Sequence, residues 1–168
     1  MPLTGITFHL VPGIRQGPRR MVGFLEGHRE LNAAEEFDSL KENRKAFVRS
    51  SIELWASGSN DINERFHGFT NDTEYSLSYV FKVKDNNVNH RFYGFLCNPL
   101  LSNPRVRVCV LCIHARKGQH QTDRAELARV EQWRLSSAAS EAMSAAYPDD
   151  LPSLGKGKRG EVLPWKTK

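Results

Sequence analysis

The chain has 168 residues, 39% of them hydrophobic and 26% charged, with a formal net charge of +5. That composition describes one soluble globular domain with a core of its own and argues against global disorder. No run approaches the roughly 18–20 apolar residues of a membrane helix, the N-terminus shows none of the segments of a secretory signal, and three cysteines fit a reducing cytoplasm better than a disulfide framework.

Residues 1–20 are punctuated by Pro2, Gly5, Pro12, Gly13, Gly17 and Pro18 around an alternating Ile6, Phe8 and Leu10, which reads as either a short edge strand or an N-terminal arm. Residues 20–26 predict a strand that Gly23 weakens. Residues 33–40 predict a helix, with Asn32 as N-cap and Glu35 and Glu36 in the first turn, where the macrodipole favours negative charge. A second helix over 43–57 sets Phe47, Val48, Ser51, Ile52, Leu54 and Trp55 on one broad face and stops at Gly58. The two helices read as an antiparallel hairpin laid over a sheet. Residues 58–74 form a polar loop with Phe66 and Phe69 as core anchors.

Alternation then takes over. Residues 75–84 carry Tyr75, Leu77, Tyr79, Phe81 and Val83 on one face and Val80, Lys82 and Lys84 on the other. Asp85-Asn86-Asn87 is turn chemistry, so a hairpin leads into a strand over 89–97, where Arg91, Tyr93, Phe95 and Cys97 share a face. A strand over 105–114 follows, with Val106, Val108, Val110, Cys112 and His114 on one side; it turns apolar on both sides and reads as central. Residues 116–121 form a basic loop. Asp123 and Glu126 resemble a capping box that opens a long helix, which Pro148 ends. The whole predicts an α+β domain over residues 1–148, with a helical hairpin and a long C-terminal helix packed on a small antiparallel sheet. Residues 1–19 form its N-terminal arm, and residues 149–168 are a basic tail.

The charge is divided by region. Residues 30–74 hold ten acids and five bases, whereas residues 82–134 hold ten bases and four acids. An acidic side and a basic side result, and the basic one suits a polyanion through counterion release and steering.

Six stretches in this order carry a family likeness: ELWASG, FHGF, YVFKVK, HRFYGF, VCVLCIHARKGQ and TDRAELARVE. The chain resembles the RelE/ParE superfamily of bacterial toxins, in its HigB-like, phage-protein-like branch, over about residues 20–135. Two departures stand out. Phe81-Lys82-Val83-Lys84 occupies the place of an acid-x-arginine pattern, and Arg116-Lys117-Gly118-Gln119-His120 that of a Lys-Lys-Thr pattern. The resemblance implies two helices on an antiparallel sheet and a toxin held silent by a cognate antitoxin, in a toxin–antitoxin hetero-oligomer. It also implies either a ribosome-dependent mRNA endonuclease or a non-enzymatic gyrase inhibitor of the ParE type. A phage or mobile-element protein that binds RNA without cutting it is a third reading.

Cleavage of RNA without a metal or other cofactor needs a base for the 2′-OH, an acid for the leaving 5′-oxygen, and cations for the charge on the phosphorane. Lys82, Lys84, Arg91 and Lys117 are the expected catalytic cations, and His120 is the expected proton-transfer group. Arg116 and Lys117, ahead of a helix N-terminus, are the expected phosphate contacts. Arg107 and Arg124 add to the RNA-binding set, with Tyr93 as a stacking residue. His114 reads as a hydrogen-bonded core histidine. Cys109 and Cys112 have metal-like spacing, yet residues three apart on a strand face opposite ways, so no metal is expected. All of these cations are expected to share one pocket.

Overall fold

The alternation read from the sequence becomes six strands in the computed structural model, which describes residues 5–100, 103–117 and 124–147. In chain order the elements are β1 (Thr7–Leu10), β2 (Arg20–Glu26), α1 (Ala33–Asp38), α2 (Glu42–Ala56), β3 (Phe66–Gly68) and β4 (Ser78–Asp85). They continue as β5 (Val88–Cys97), β6 (Arg107–Lys117), α3 (Arg124–Arg134) and α4 (Ser137–Ala146). The sheet order is β1-β2-β6-β5-β4-β3.

The α+β expectation holds, and three of its details are corrected. The sheet is mixed, because β2 and β6 run parallel while every other neighbouring pair is antiparallel. The connection through α1 and α2 carries the chain to the far edge of the sheet, and the β4–β5–β6 meander brings it back beside β2. The N-terminal segment contributes an edge strand, β1, and the predicted loop hides a second one, β3. The long C-terminal helix is two helices: Ser136 Oγ accepts a hydrogen bond from the Ala139 amide at 3.1 Å and donates one to the Trp133 carbonyl at 2.7 Å, an N-cap that starts α4 afresh.

Each sheet face has its own core. On one, α1 packs on β2 and β6, and α2 on β2 and β4; Phe37, Ile52 and Trp55 meet Val22, Phe24, Phe81, Phe92 and Leu111 there. On the other, α3 and α4 lay Leu127, Val130, Ala139 and Met143 against Tyr93, Phe95, Val108 and Val110. Cys109 and Cys112 fall in different cores, as their spacing on a strand implies. In α2 the residues Val48, Ser51, Ile52 and Trp55 are buried, whereas Phe47 lies off that stripe with Arg65 over its ring at 4.4 Å. The helix ends as Gly58 predicts. Gly58 takes φ +105°, its amide bonds to Trp55 O, and the Ser59 amide bonds to Leu54 O, which is a Schellman closure.

The feature that positions everything downstream is a β-bulge. Tyr93 pairs with Ile113 but Gly94 pairs with Leu111, so Cys112 is an extra residue on β6. Strand faces alternate with period two, and one inserted residue inverts every side chain beyond it. Ile113 joins Val108 and Val110 in the α3/α4 core, and His114 moves to the face of α1. Gly94 is required at this point, since a Cβ there would stand 2.1 Å from the Val110 carbonyl oxygen.

Gly94→Ala is therefore expected to destabilise the protein by about 2–3 kcal/mol, as overpacking against backbone does. Urea denaturation measures it, and an unchanged midpoint would mean that the bulge accommodates a side chain.

Candidate functional site

Register alone assembles a polar patch on the α3 face. Lys82 on β4 lies opposite Arg91 on β5, and Arg91 lies opposite Ala115 on β6. In the next row Lys84 faces Asn89, and Asn89 faces Lys117. Residues directly opposite share a face, so Lys82, Lys84, Arg91 and Lys117 come from three strands to one surface. Lys117 is there because of the bulge. Of the predicted catalytic residues within the described part of the chain, all four are brought together; His120 lies outside the described residues.

Three of these side chains, Lys82, Lys84 and Arg91, line a groove of about 350 Å³ together with Asn63, Glu64, Val83 and Asn89. Lys84 is exposed. Lys82 is half-buried, and its ammonium donates to the Asn63 carbonyl at 2.9 Å. Burial and then the facing Arg91 hold the Lys82 pKa below its ordinary value, against the opposing effect of Glu64. Arg91 is only 4% exposed, and it lies within 3.5 Å of the Tyr93 hydroxyl, to which it donates. At the far side, Lys117 Nζ pairs with the Glu126 carboxylate of α3 at 2.7 Å.

One residue of the patch was not singled out from the sequence. His67 on β3 faces Val80 on β4, and Val80 is two residues from Lys82, so His67 sits in the adjoining row of the same face. It belongs to FHGF, whose phenylalanines drew attention as core anchors. The only sequence signal was period two: Phe66 buried, His67 necessarily turned the other way.

The opposite face holds the rest. Arg116 was expected to converge with the lysines, and the bulge sends it, with His114, to the α1 side instead. His90 Nδ1 and His114 Nε2 share a hydrogen bond of 2.9 Å. Glu36 of α1 stands 3.8 Å from His114 Nδ1 and 3.7 Å from Arg116. Asn32, predicted as a helix cap, makes no side-chain cap bond. Its Oδ1 accepts from the His114 amide at 2.8 Å and its Nδ2 donates to the His114 carbonyl at 3.4 Å. β2 pairs with β6 only as far as Leu111, so this amide takes over the ladder where the strand stops. His114 is thus the buried, hydrogen-bonded histidine the sequence suggested. Burial first, then His90 and Arg116, push its pKa down to about 4; burial also lowers His90.

Four further expectations change. β6 extends to Lys117, so Arg116 and Lys117 are strand neighbours with opposite faces, and only Lys117 joins the patch. Tyr93 is fully buried, where no base can stack on its ring. Arg107 begins β6, roughly 30 Å along the strand from Lys117 at ~3.3 Å per residue. Arg124 is engaged by Asp72 at 2.6 Å and Glu74 at 2.8 Å, with its guanidinium 4.9 Å from the Tyr75 ring; it ties α3 to the loop before β4. Among the described residues no helix is long and apolar enough to cross a membrane.

No protein-family model, curated protein or solved structure matches the chain.

The His114 geometry sets a pH dependence. Its folded pKa of about 4 lies below the ordinary 6.5, so between those values the unfolded chain binds more protons. Stability is then fully present above about pH 6.5 and falls as pH drops towards 4. From pH 7 to pH 4.5 this group is expected to remove on the order of 2–3 kcal/mol. Urea unfolding at the two pH values should show a loss smaller by that amount in His114→Gln. Parallel pH dependence in the two proteins is the contrary result.

Proposed function

We propose that this chain is a ribonuclease toxin of the RelE/HigB type, a cytoplasmic protein that cuts mRNA on the ribosome and is held silent by a cognate antitoxin. The order of elements supports the reading: strand β2, two helices, the antiparallel strands β4, β5 and β6, then helix α3 run through the segment that carries the family likeness. The observation that carries the proposal is the shared face of Lys82, Lys84, Arg91 and Lys117, the first three of which line one groove.

The chemistry follows from charge. When a 2′-oxygen attacks the neighbouring phosphate, the phosphorane gathers negative charge on its equatorial oxygens. Cations already fixed around that position stabilise it without reorganising, and they act most strongly where water is partly excluded. Lys84 and Lys82 stand at the rim and wall of the groove, and Arg91 forms its floor. The Lys117–Glu126 pair ties α3 to the sheet on the same face. Arg91 is held by burial and by Tyr93, so its position does not depend on substrate. RNA, with its 2′-hydroxyl, is the polyanion this cation set can cut without a metal; DNA lacks the internal nucleophile.

Expression in a bacterial host should arrest growth and produce new transcript 5′ ends within translated regions. Lys84→Ala is expected to lower the cleavage rate about 10²-fold while leaving the melting temperature within a degree or two, because Lys84 is exposed. Retained cleavage in the Lys82→Ala/Lys84→Ala double variant would remove these lysines from the site. DNA damage with a supercoiling defect and no transcript cuts would replace this reading with gyrase inhibition.

A further inference from the structure

The cations of the patch supply charge, and besides the Glu64 carboxylate of the groove one group on the same face has the form of a proton acceptor. His67 is half-buried on β3. Its Nδ1 lies 2.9 Å from the Gly68 carbonyl oxygen. A carbonyl only accepts, so Nδ1 carries the hydrogen and Nε2 presents a lone pair. Nε2 takes no hydrogen bond among the described residues.

The ring is also held in place. It packs edge-on against Phe69 with centroids 5.0 Å apart. The turn that carries it is clamped by Asp61, whose carboxylate accepts from the Gly68 amide at 2.9 Å and from the Tyr79 hydroxyl at 2.6 Å. His67 faces Val80, and Lys82 is two residues further along β4 on the same side. Diagonal neighbours of this kind stand roughly 7–8 Å apart, about the span from a ribose 2′-oxygen to cations that hold the far oxygens of its phosphate.

We propose that His67 is the proton acceptor of this site, its Nε2 taking the 2′-OH proton of a ribonucleotide whose 3′-phosphate lies against Lys82, Lys84 and Arg91. This rests on the ribonuclease reading above. The 2′-oxygen bonds to phosphorus and the P–O5′ bond breaks. The 5′-oxygen leaves with a proton from water, and His67 returns its own proton to solvent. The products are a 2′,3′-cyclic phosphate end and a 5′-hydroxyl end, with no oxidant, metal or second substrate consumed.

The groups facing the ring set its protonation. Burial lowers the His67 pKa most, Lys82 and Arg91 lower it further, and the Gly68 carbonyl and Asp61 oppose them; the net direction is down from 6.5. A neutral imidazole near pH 7 is the form a base requires.

Purified full-length protein, with ribosomes programmed by a short mRNA, gives the test under single-turnover conditions. The wild-type rate should rise with pH and level off, with its inflection below pH 6.5, and a 2′-deoxy nucleotide at the cut site should abolish cleavage. His67→Gln should lower the rate at least 100-fold and remove the inflection, and free imidazole should restore part of the rate to His67→Ala. Lys84→Ala should lower the rate and keep the inflection. Wild-type cleavage with His67→Gln keeping both rate and inflection overturns the role of His67 and leaves the ribonuclease reading intact. Absence of wild-type cleavage overturns both. Should the His67 variants not fold, a wild-type profile without an inflection below pH 6.5 still refutes the assignment.

Discussion

The bulge between β5 and β6 is the constraint on which the rest of the molecule turns. Without Cys112 as an extra residue, His114 would stay on the side of Val108 and Val110, and Arg116 would replace Lys117 on the α3 face. The bulge is sustained by a glycine directly under the β6 backbone and by Asn32, which replaces the missing β2 partner on the strand's other edge. Two neighbouring cations are thereby sent to opposite surfaces with different partners. Lys117 meets Glu126 of α3, and Arg116 meets Glu36 of α1.

The α3 face carries an electrostatic cost that packing does not explain. Lys82 and Arg91 stand directly opposite across two central positions of the sheet, where like charges destabilise. Burial makes matters worse for both, as the lowered pKa of Lys82 records. A fold selected only for stability would place an acid at one of these positions, and the nearest carboxylate on the groove, Glu64, comes from the loop ahead of β3. Like charges set opposite one another are a local rule broken, which is a usual mark of a functional site.

Much of this was legible in the chain, and what was not has identifiable causes. Period-two alternation located β4 and β5, and the turn at Asp85-Asn86-Asn87 resolved as predicted, with Asn86 in the left-handed region at φ 58°. The faces of Lys82, Lys84 and Arg91 followed from that alternation. The face of Lys117 did not, because a bulge leaves no mark in a run such as VCVLCIHARK, apolar on both sides. β3 escaped notice because three residues carry too little periodicity to stand out from a polar loop, and His67 escaped with it. The break between α3 and α4 lies in a stretch of serine and alanine that propensity reads as continuous helix; only the cap at Ser136 ends it. The pairing of β2 with β6 joins segments more than eighty residues apart, beyond the reach of any local pattern.

The two faces of the sheet solve the same problem in opposite ways. On the α1 side several cations meet carboxylates: Arg116 meets Glu36, while Arg44 and Lys41 meet Asp85. The two histidines there bond to each other, and burial lowers the pKa of both. On the α3 side Lys117 is matched by Glu126, but Lys82 and Lys84 flank Arg91 around an open groove with Glu64 as its one acidic lining residue. The sheet thus separates a face where His90, His114 and Arg116 pack towards α1 from a face that gathers Lys82, Lys84 and Arg91 around a groove. A polyanion would be expected to distinguish them, steered towards the face where these cations gather.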